Sequence, residues 1–259
     1  MFAAIDIGNT YTVIGIYEDE ILKTDLRIPS IPQKTEDEIS RQVLTLFTEK
    51  EIDVKKIDGI GISSVVPDIT GIYVSLSKKC FHQEPLIVNT DSDFAIKIHY
   101  ENPKSLGIDR LCSAVAGYAK YGGPLIIIDF GTATTYSVIA SNGDFLGGVI
   151  STGIATSAAA LHQRTAQLPD IDFHFPETAI GTDTVSSIQT GVICGAIDAM
   201  TGMVQRLQSE ILQCESKKAT VIATGGFSKF IAEHSQIIQH VDTTLVLDGI
   251  HLIYNRLHH

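Results

Sequence analysis

No Cys-x-x-Cys pair occurs in the 259-residue sequence, whose four cysteines stand at positions 80, 112, 194 and 214. Without such a pair neither a structural zinc site nor a dithiol redox motif is offered, and the thiols read as buried and free. Basic residues are scarce as well: 19 Lys and Arg against 30 Asp and Glu leave a formal net charge of −11. Nonspecific nucleic-acid binding and attachment to an anionic membrane both need a basic face, so neither partner is expected, while a local pocket for a small anion stays open. No apolar run approaches the roughly 18 residues that suggest a membrane span. Asp6 interrupts the N-terminal stretch where a secretory signal would need its apolar core, so a cytoplasmic location is expected. What the sequence does have is 44% hydrophobic and 19% charged residues, the composition of a globular chain with a sizeable core rather than a disordered one. The terminal His258 and His259 are assigned no function.

Along the chain, residues 2–7, 11–17 and 21–28 read as a three-stranded meander with its first turn at Gly8-Asn9. Thr35-x-x-Glu38 is a capping box, and Ile39, Val43, Leu46 and Phe47 follow at helical spacing. A strand over 57–66, a helix over 68–81 and a strand over 85–89 imply a right-handed parallel crossover. The next helix, 105–121, is stopped by Gly122-Gly123-Pro124. The pattern then restarts, with strands at 125–130, 133–140 and 145–150, helices near 154–166 and 184–213, a strand over 218–224 ending at Gly225-Gly226, and a last helix over 248–257.

The two meanders share more than their order. IDIGNT and IDFGTA each end an apolar strand in an acid; Asp6 and Asp129 stand 123 residues apart, as do Gly8 and Gly131, which pairs Asn9 and Thr10 with Thr132 and Ala133. The duplication predicts an α/β chain of two related lobes, 1–118 and 119–259, whose acidic turns face one another across a cleft. Small residues let backbone N–H groups approach phosphate oxygens, and hydroxyls add donors. The acids suit Mg²⁺, which takes one or two carboxylates and shares its remaining shell with phosphate. An acid ending a buried strand is costly without a partner. The plainer alternative is that Asp6 and Asp129 merely accept turn N–H bonds.

Four motifs in order, D-x-G-N-T, G-x-D-R, D-F-G-T-A-T-T and A-T-G-G, make the chain resemble type III pantothenate kinase from Ile5 to about Arg256. The resemblance implies two ribonuclease-H-like, actin-like lobes with ATP between them, in the superfamily of acetate and sugar kinases, heat-shock ATPases and actin. It also implies phosphorylation of pantothenate to 4′-phosphopantothenate, the first step of coenzyme A synthesis. By the same resemblance, Asp6, Gly8, Asn9 and Thr10 form the first phosphate motif, and Asp129, Gly131 and Thr132 the second. Asp6 and Asp129 are the metal-binding acids, and Gly225 and Gly226 lie beside adenosine. Tyr100, Asn102, Gly107, Asp109 and Arg110 make the pantothenate site, completed by Thr184 of a neighbouring subunit in a homodimer.

The residues give these assignments independent support. Asp109 and Arg110 lie in the first turn of the 105–121 helix, away from its apolar face as read from the sequence, so packing does not require them. Asp109 suits a base taking the proton of the pantothenate hydroxyl, with Arg110 gripping the carboxylate or amide end; an acid there also suits the helix dipole. In the 184–213 helix Val185, Ile188, Val192, Ala196, Met203 and Val204 form a stripe that Ile193, Ile197, Met200, Leu207 and Ile211 widen. Gly191, Gly195 and Gly202 leave room for another helix, which fits a dimer interface; burial within the C-terminal lobe is the alternative.

Four positions depart from the family pattern: Ser137 stands where an Asp is usual, Thr152 where a proline is, Asp183 where an asparagine is, and Thr201 where an acid is. The family's monovalent cation, K⁺ or NH₄⁺, is therefore in question through Ser137, while ATP and Mg²⁺ are expected. Two other functions fit the scaffold, a non-catalytic nucleotide-binding regulator and a kinase of another small hydroxyl compound.

Overall fold

The computed structural model describes residues 1–258, and His259 lies outside the described residues. The chain divides into two compact units, Met1–Ala116 joined by the segment from Thr244 onward, and Gly117–Thr243.

The first unit opens with β1 (Phe2–Ile7), β2 (Tyr11–Glu18) and β3 (Ile21–Pro29), followed by α1 (Glu36–Glu49). The Thr35 capping box forms in full: Thr35 N–H donates to Glu38 Oε2 at 2.8 Å, and Glu38 N–H to Thr35 Oγ1 at 3.3 Å. Then come β4 (Gly59–Ser64), α2 (Pro67–Cys80), the short β5 (Leu86–Ile87) and α3 (Ile108–Tyr121), whose residues from Gly117 on count with the second unit. The sheet order is β3-β2-β1-β4-β5, with β1–β2–β3 antiparallel and β1–β4–β5 parallel. Central strands covered on both faces read as continuous apolar runs, which explains FAAI in β1.

The second unit repeats this plan. Its strands are β6 (Leu125–Phe130), β7 (Ala133–Ile139), β8 (Phe145–Thr152), β9 (Thr220–Thr224) and β10 (His240–Val241), in the order β10-β9-β6-β7-β8. As before, the first three form an antiparallel meander and the last two run parallel to its first strand. Helices α4 (Ile154–Arg164), α5 (Thr184–Gln189), α6 (Gly195–Cys214) and α7 (Ser228–Ala232) lie between β8 and β10. Each unit is thus a ribonuclease-H-like α/β fold, and β1 and β6 share one burial pattern, four buried residues, a half-buried acid and a buried residue.

Three expectations change. The terminal helix α8 (Leu245–His258) starts earlier than the pattern implied, and it belongs with the first unit rather than with a lobe running 119–259. It docks on β1 and β4, where Gly61 clears space for Ile250; a Cβ at Gly249 would collide with the Cys112 carbonyl of α3. The long 184–213 helix is interrupted by a π-helical segment, Thr190–Cys194, between α5 and α6. A π turn rotates the helix face, so part of the breadth of its apolar stripe is a phase change and not a second partner. Finally, only Cys112 of the four free thiols is fully buried, and Cys214 is exposed.

Candidate active site

Asp6 and Asp129 are each the penultimate residue of the central strand of a sheet. Asp6 is in register with Val13 on β2 and Ser63 on β4; Asp129 is in register with Thr135 on β7 and Thr224 on β9. Both are half-buried and already engaged in interactions. Each strand is followed by a glycine whose N–H closes the turn, Gly8 on the Tyr11 carbonyl at 3.0 Å and Gly131 on the Ala133 carbonyl at 3.1 Å. The first turn is therefore one residue longer. The Thr10 carbonyl accepts from Ser30 N–H at 2.9 Å and the Thr132 carbonyl from Gly153 N–H at 3.2 Å, so Thr10 matches Thr132. Asn9 is the extra residue, which corrects the pairing of Asn9 with Thr132 and of Thr10 with Ala133. Asn9, Thr10 and Thr132 are all exposed at the strand ends, as groups meeting a ligand must be.

Gly225 follows β9 in the left-handed region, at φ +85°. A Cβ there would collide with the Asp129 carboxylate and come within 2.8 Å of the Phe130 backbone, so only glycine lets this turn lie against the end of β6. Ser228 secures it through Oγ to the Gly225 carbonyl at 2.7 Å, and Gly226 faces open space.

In the first unit, a 3₁₀ turn at Pro103–Ser105 precedes α3, and the Asn102 carbonyl accepts from Ser105 N–H at 3.0 Å and Ser105 Oγ at 2.8 Å. Gly107 leaves the room into which the Asp109 carboxylate folds. Asp109 Oδ1 accepts the Arg110 N–H at 2.9 Å. The expectation that Arg110 avoids the packed face is overturned: α3 is buried all round over 110–116, and Arg110 is only 6% exposed, hydrogen-bonded to Tyr100. Burial pushes the Asp109 carboxyl above the usual carboxylate range, partly opposed by the N–H and charge of Arg110. Burial likewise lowers the Arg110 pKa, opposed by Tyr100 and Asp109. One turn along, burial pushes the Cys112 thiol well up, and the charges of Asp6 and Asp109 both add to the shift. The charges of Asp6 and Asp109 are thus both felt at the same buried thiol of this unit.

Thr184 belongs to the second unit and is exposed at the start of α5. Asp183 caps this helix, accepting Ser186 N–H at 2.9 Å. Thr184 lines an open cavity of about 590 Å³ with Leu161, Thr182, Ser187, Ile188 and Gly191. Ser137 is buried in the middle of β7, between Ile127 of β6 and Gly148 of β8, and Thr201 lines a second cavity with His234. Among the described residues no three His, Cys, Asp or Glu cluster as a metal cage. One strand-end carboxylate in each unit, Asp6 and Asp129, has the donor chemistry that suits Mg²⁺, a hard ion whose shell is completed chiefly by water and phosphate.

The sequence profile of the family described as type III pantothenate kinase matches residues 2–206. The chain belongs to the type III pantothenate kinase family. Its relatives include proteins named type III pantothenate kinase from Exiguobacterium sp. and from Halalkalibacterium halodurans, each 42% identical over 256 residues and covering 99% of both chains. Among solved structures, a Campylobacter jejuni protein titled as a Baf-family transcriptional activator superposes with a TM-score of 0.62 at 19% identity, covering 98% of each chain. The ethanolamine utilization protein EutJ of Carboxydothermus hydrogenoformans gives 0.51 at 13% identity, covering 97% of this chain and 89% of its own. At those identities the two structures speak to the fold alone. Thr156, which the motifs did not single out, enters the site as well: its hydroxyl donates to the Thr132 carbonyl at 2.6 Å. No helix of the described residues is long and apolar enough to cross a membrane.

Proposed function

We propose that this chain transfers the γ-phosphoryl group of ATP to the primary hydroxyl of pantothenate, giving 4′-phosphopantothenate in the first step of coenzyme A synthesis. The observation that supports the reading is the desolvated Asp109 carboxylate, folded into the space left by Gly107, in the same unit as the strand-end Asp6, with the charges of both acids felt at the Cys112 thiol.

In this reading Asp109 takes the proton of the attacking hydroxyl, and its raised pKa makes it a better base than an exposed carboxylate. Arg110, held by Tyr100, grips the carboxylate or amide end of pantothenate, with Asn102 and Gly107 shaping the loop around it. The partner subunit's Thr184 completes that site. Gly8, Asn9, Thr10, Gly131 and Thr132 hold phosphate oxygens through N–H and hydroxyl donors, while Gly225 and Gly226 flank adenosine. Asp6 and Asp129 would hold Mg²⁺, which supplies neutralisation of phosphate charge when bound. Phosphoryl transfer demands chiefly alignment and charge neutralisation, so these turns contribute more than the base does.

The reading includes a homodimer. Gly191, Gly195 and Gly202 face open space, and Val185 is exposed beside Thr184, which suits a second copy packing along this helix. It includes a cytoplasmic location, where ATP is available, and use of K⁺ or NH₄⁺ with a dependence altered by the neutral Ser137.

The test is turnover of purified protein with ATP, Mg²⁺ and pantothenate in K⁺ and in Na⁺, beside a panel of other small hydroxy acids. Preference for pantothenate supports the reading. A larger kcat/KM for another acceptor, or nucleotide binding with no turnover in either cation, contradicts it.

A further inference from the structure

We propose that Thr156 is a positioning residue that fixes the second phosphate turn for ATP. The proposal rests on the reading of Gly131 and Thr132 as phosphate contacts. The Thr132 carbonyl accepts two hydrogen bonds from the entry of α4, the Gly153 N–H at 3.2 Å and the Thr156 hydroxyl at 2.6 Å. In a planar trans peptide the C=O and the following N–H point in opposite directions. A Thr132 carbonyl drawn toward α4 therefore aims the Ala133 N–H away from that helix.

The main-chain half of this anchor recurs in the first turn, where Ser30 N–H donates to the Thr10 carbonyl at 2.9 Å. Two copies that differ in turn length but hold the equivalent threonine carbonyl in the same way mark that carbonyl's direction as the feature preserved. Thr156 is not needed as a cap for its own helix. The Gly153 carbonyl already accepts Ser157 N–H at 2.9 Å, and the Thr156 hydroxyl reaches a residue 24 positions earlier. A Cβ at Gly153 would collide with the Gly131 and Thr132 carbonyl oxygens, so helix entry and turn are already in close contact. The hydroxyl supplies the shorter of the two bonds that set the turn's rotation.

Thr156→Val removes the hydroxyl at nearly constant volume. ATP KM is expected to rise about tenfold, the scale of one lost hydrogen bond, with pantothenate KM moving less than about twofold. Thr156→Ser is expected to restore ATP KM, and direct nucleotide titration without acceptor should follow the same order. Thermal denaturation separates this local effect from unfolding, and Thr156→Ala takes the place of the valine variant if the latter does not fold. An unchanged ATP KM in the valine or alanine variant, an equal rise in both KM values, or failure of serine to rescue overturns the proposal. Thr132→Val distinguishes the two levels: if it raises ATP KM while Thr156→Val does not, only the role of Thr156 fails. If Thr132→Val too leaves ATP KM unchanged, the phosphate-turn reading fails with it.

Discussion

Replacing Asp109 with asparagine should damage the chemistry and strengthen the fold. The side chain keeps its size in the space left by Gly107 but can no longer take a proton. General bases are worth roughly 10² to 10⁴ in rate, so turnover should fall by that factor, a barrier increase of about 3 to 5 kcal/mol. Nucleotide affinity should change little, because the role proposed for Asp109 is on the acceptor. Stability should move the other way. The folded-state pKa of Asp109 is raised by burial, so the native state holds this proton more tightly than the unfolded chain does. The buried carboxyl costs nothing below its ordinary value of 3.8, and the cost grows as pH rises toward the folded value. The cost is therefore present at neutral pH, and Asp109→Asn should raise Tm there; that advantage should fade as pH falls toward 3.8. The assays are steady-state turnover across pH, nucleotide titration, and thermal melts at neutral and acid pH. The acid limb of wild-type kcat/KM should lie above the usual carboxylate range and be absent from the variant's residual rate. Turnover within about tenfold of wild type, or an acid limb that survives the substitution, would refute the assignment.

Other substitutions probe the remaining parts. Gly225→Ala must place a Cβ against the Asp129 carboxylate at a positive φ, and should cost about 1 to 3 kcal/mol of stability together with a raised ATP KM; melts and kinetics check both. Gly195→Glu adds charge where the single chain has open space, so melts should show an intact fold while sedimentation shows a shift toward monomer and kcat/KM for pantothenate falls. Thr35→Ala removes an exposed N-cap that is not among the proposed site residues, lowering stability by about 1 kcal/mol with turnover unchanged.

The strands and the duplication were legible because β1 and β6 are buried on both faces and so carry long apolar runs, each broken at the same place by an acid. The one-residue difference between the turns was not, since Gly8 and Gly131 align at an offset of 123 and the extra Asn9 becomes visible only when carbonyl partners are known. Ser30 and Gly153 continue the same offset, a signal that points toward the Thr132 anchor, though Thr156 has no counterpart in the first copy to draw attention to it. The short α7 and β10 were missed because five and two residues are too few to carry a period. The return of α8 to the first unit depended on which sheet offered glycine-cleared space, a tertiary matter. Arg110 was misread for a related reason. A charged residue in the first turn of a helix is ordinarily exposed, whereas here the Tyr100 hydrogen bond and the Asp109 charge offset the cost of burying it.

Phosphoryl transfer to pantothenate can be followed by ³¹P NMR of a single turnover, with protein in excess over Mg²⁺-ATP and pantothenate present. The prediction is one new phosphomonoester resonance for each ADP formed, with its phosphorus coupled to the primary-alcohol methylene of pantothenate. ADP appearing with inorganic phosphate alone, or ATP left intact although bound, would contradict it.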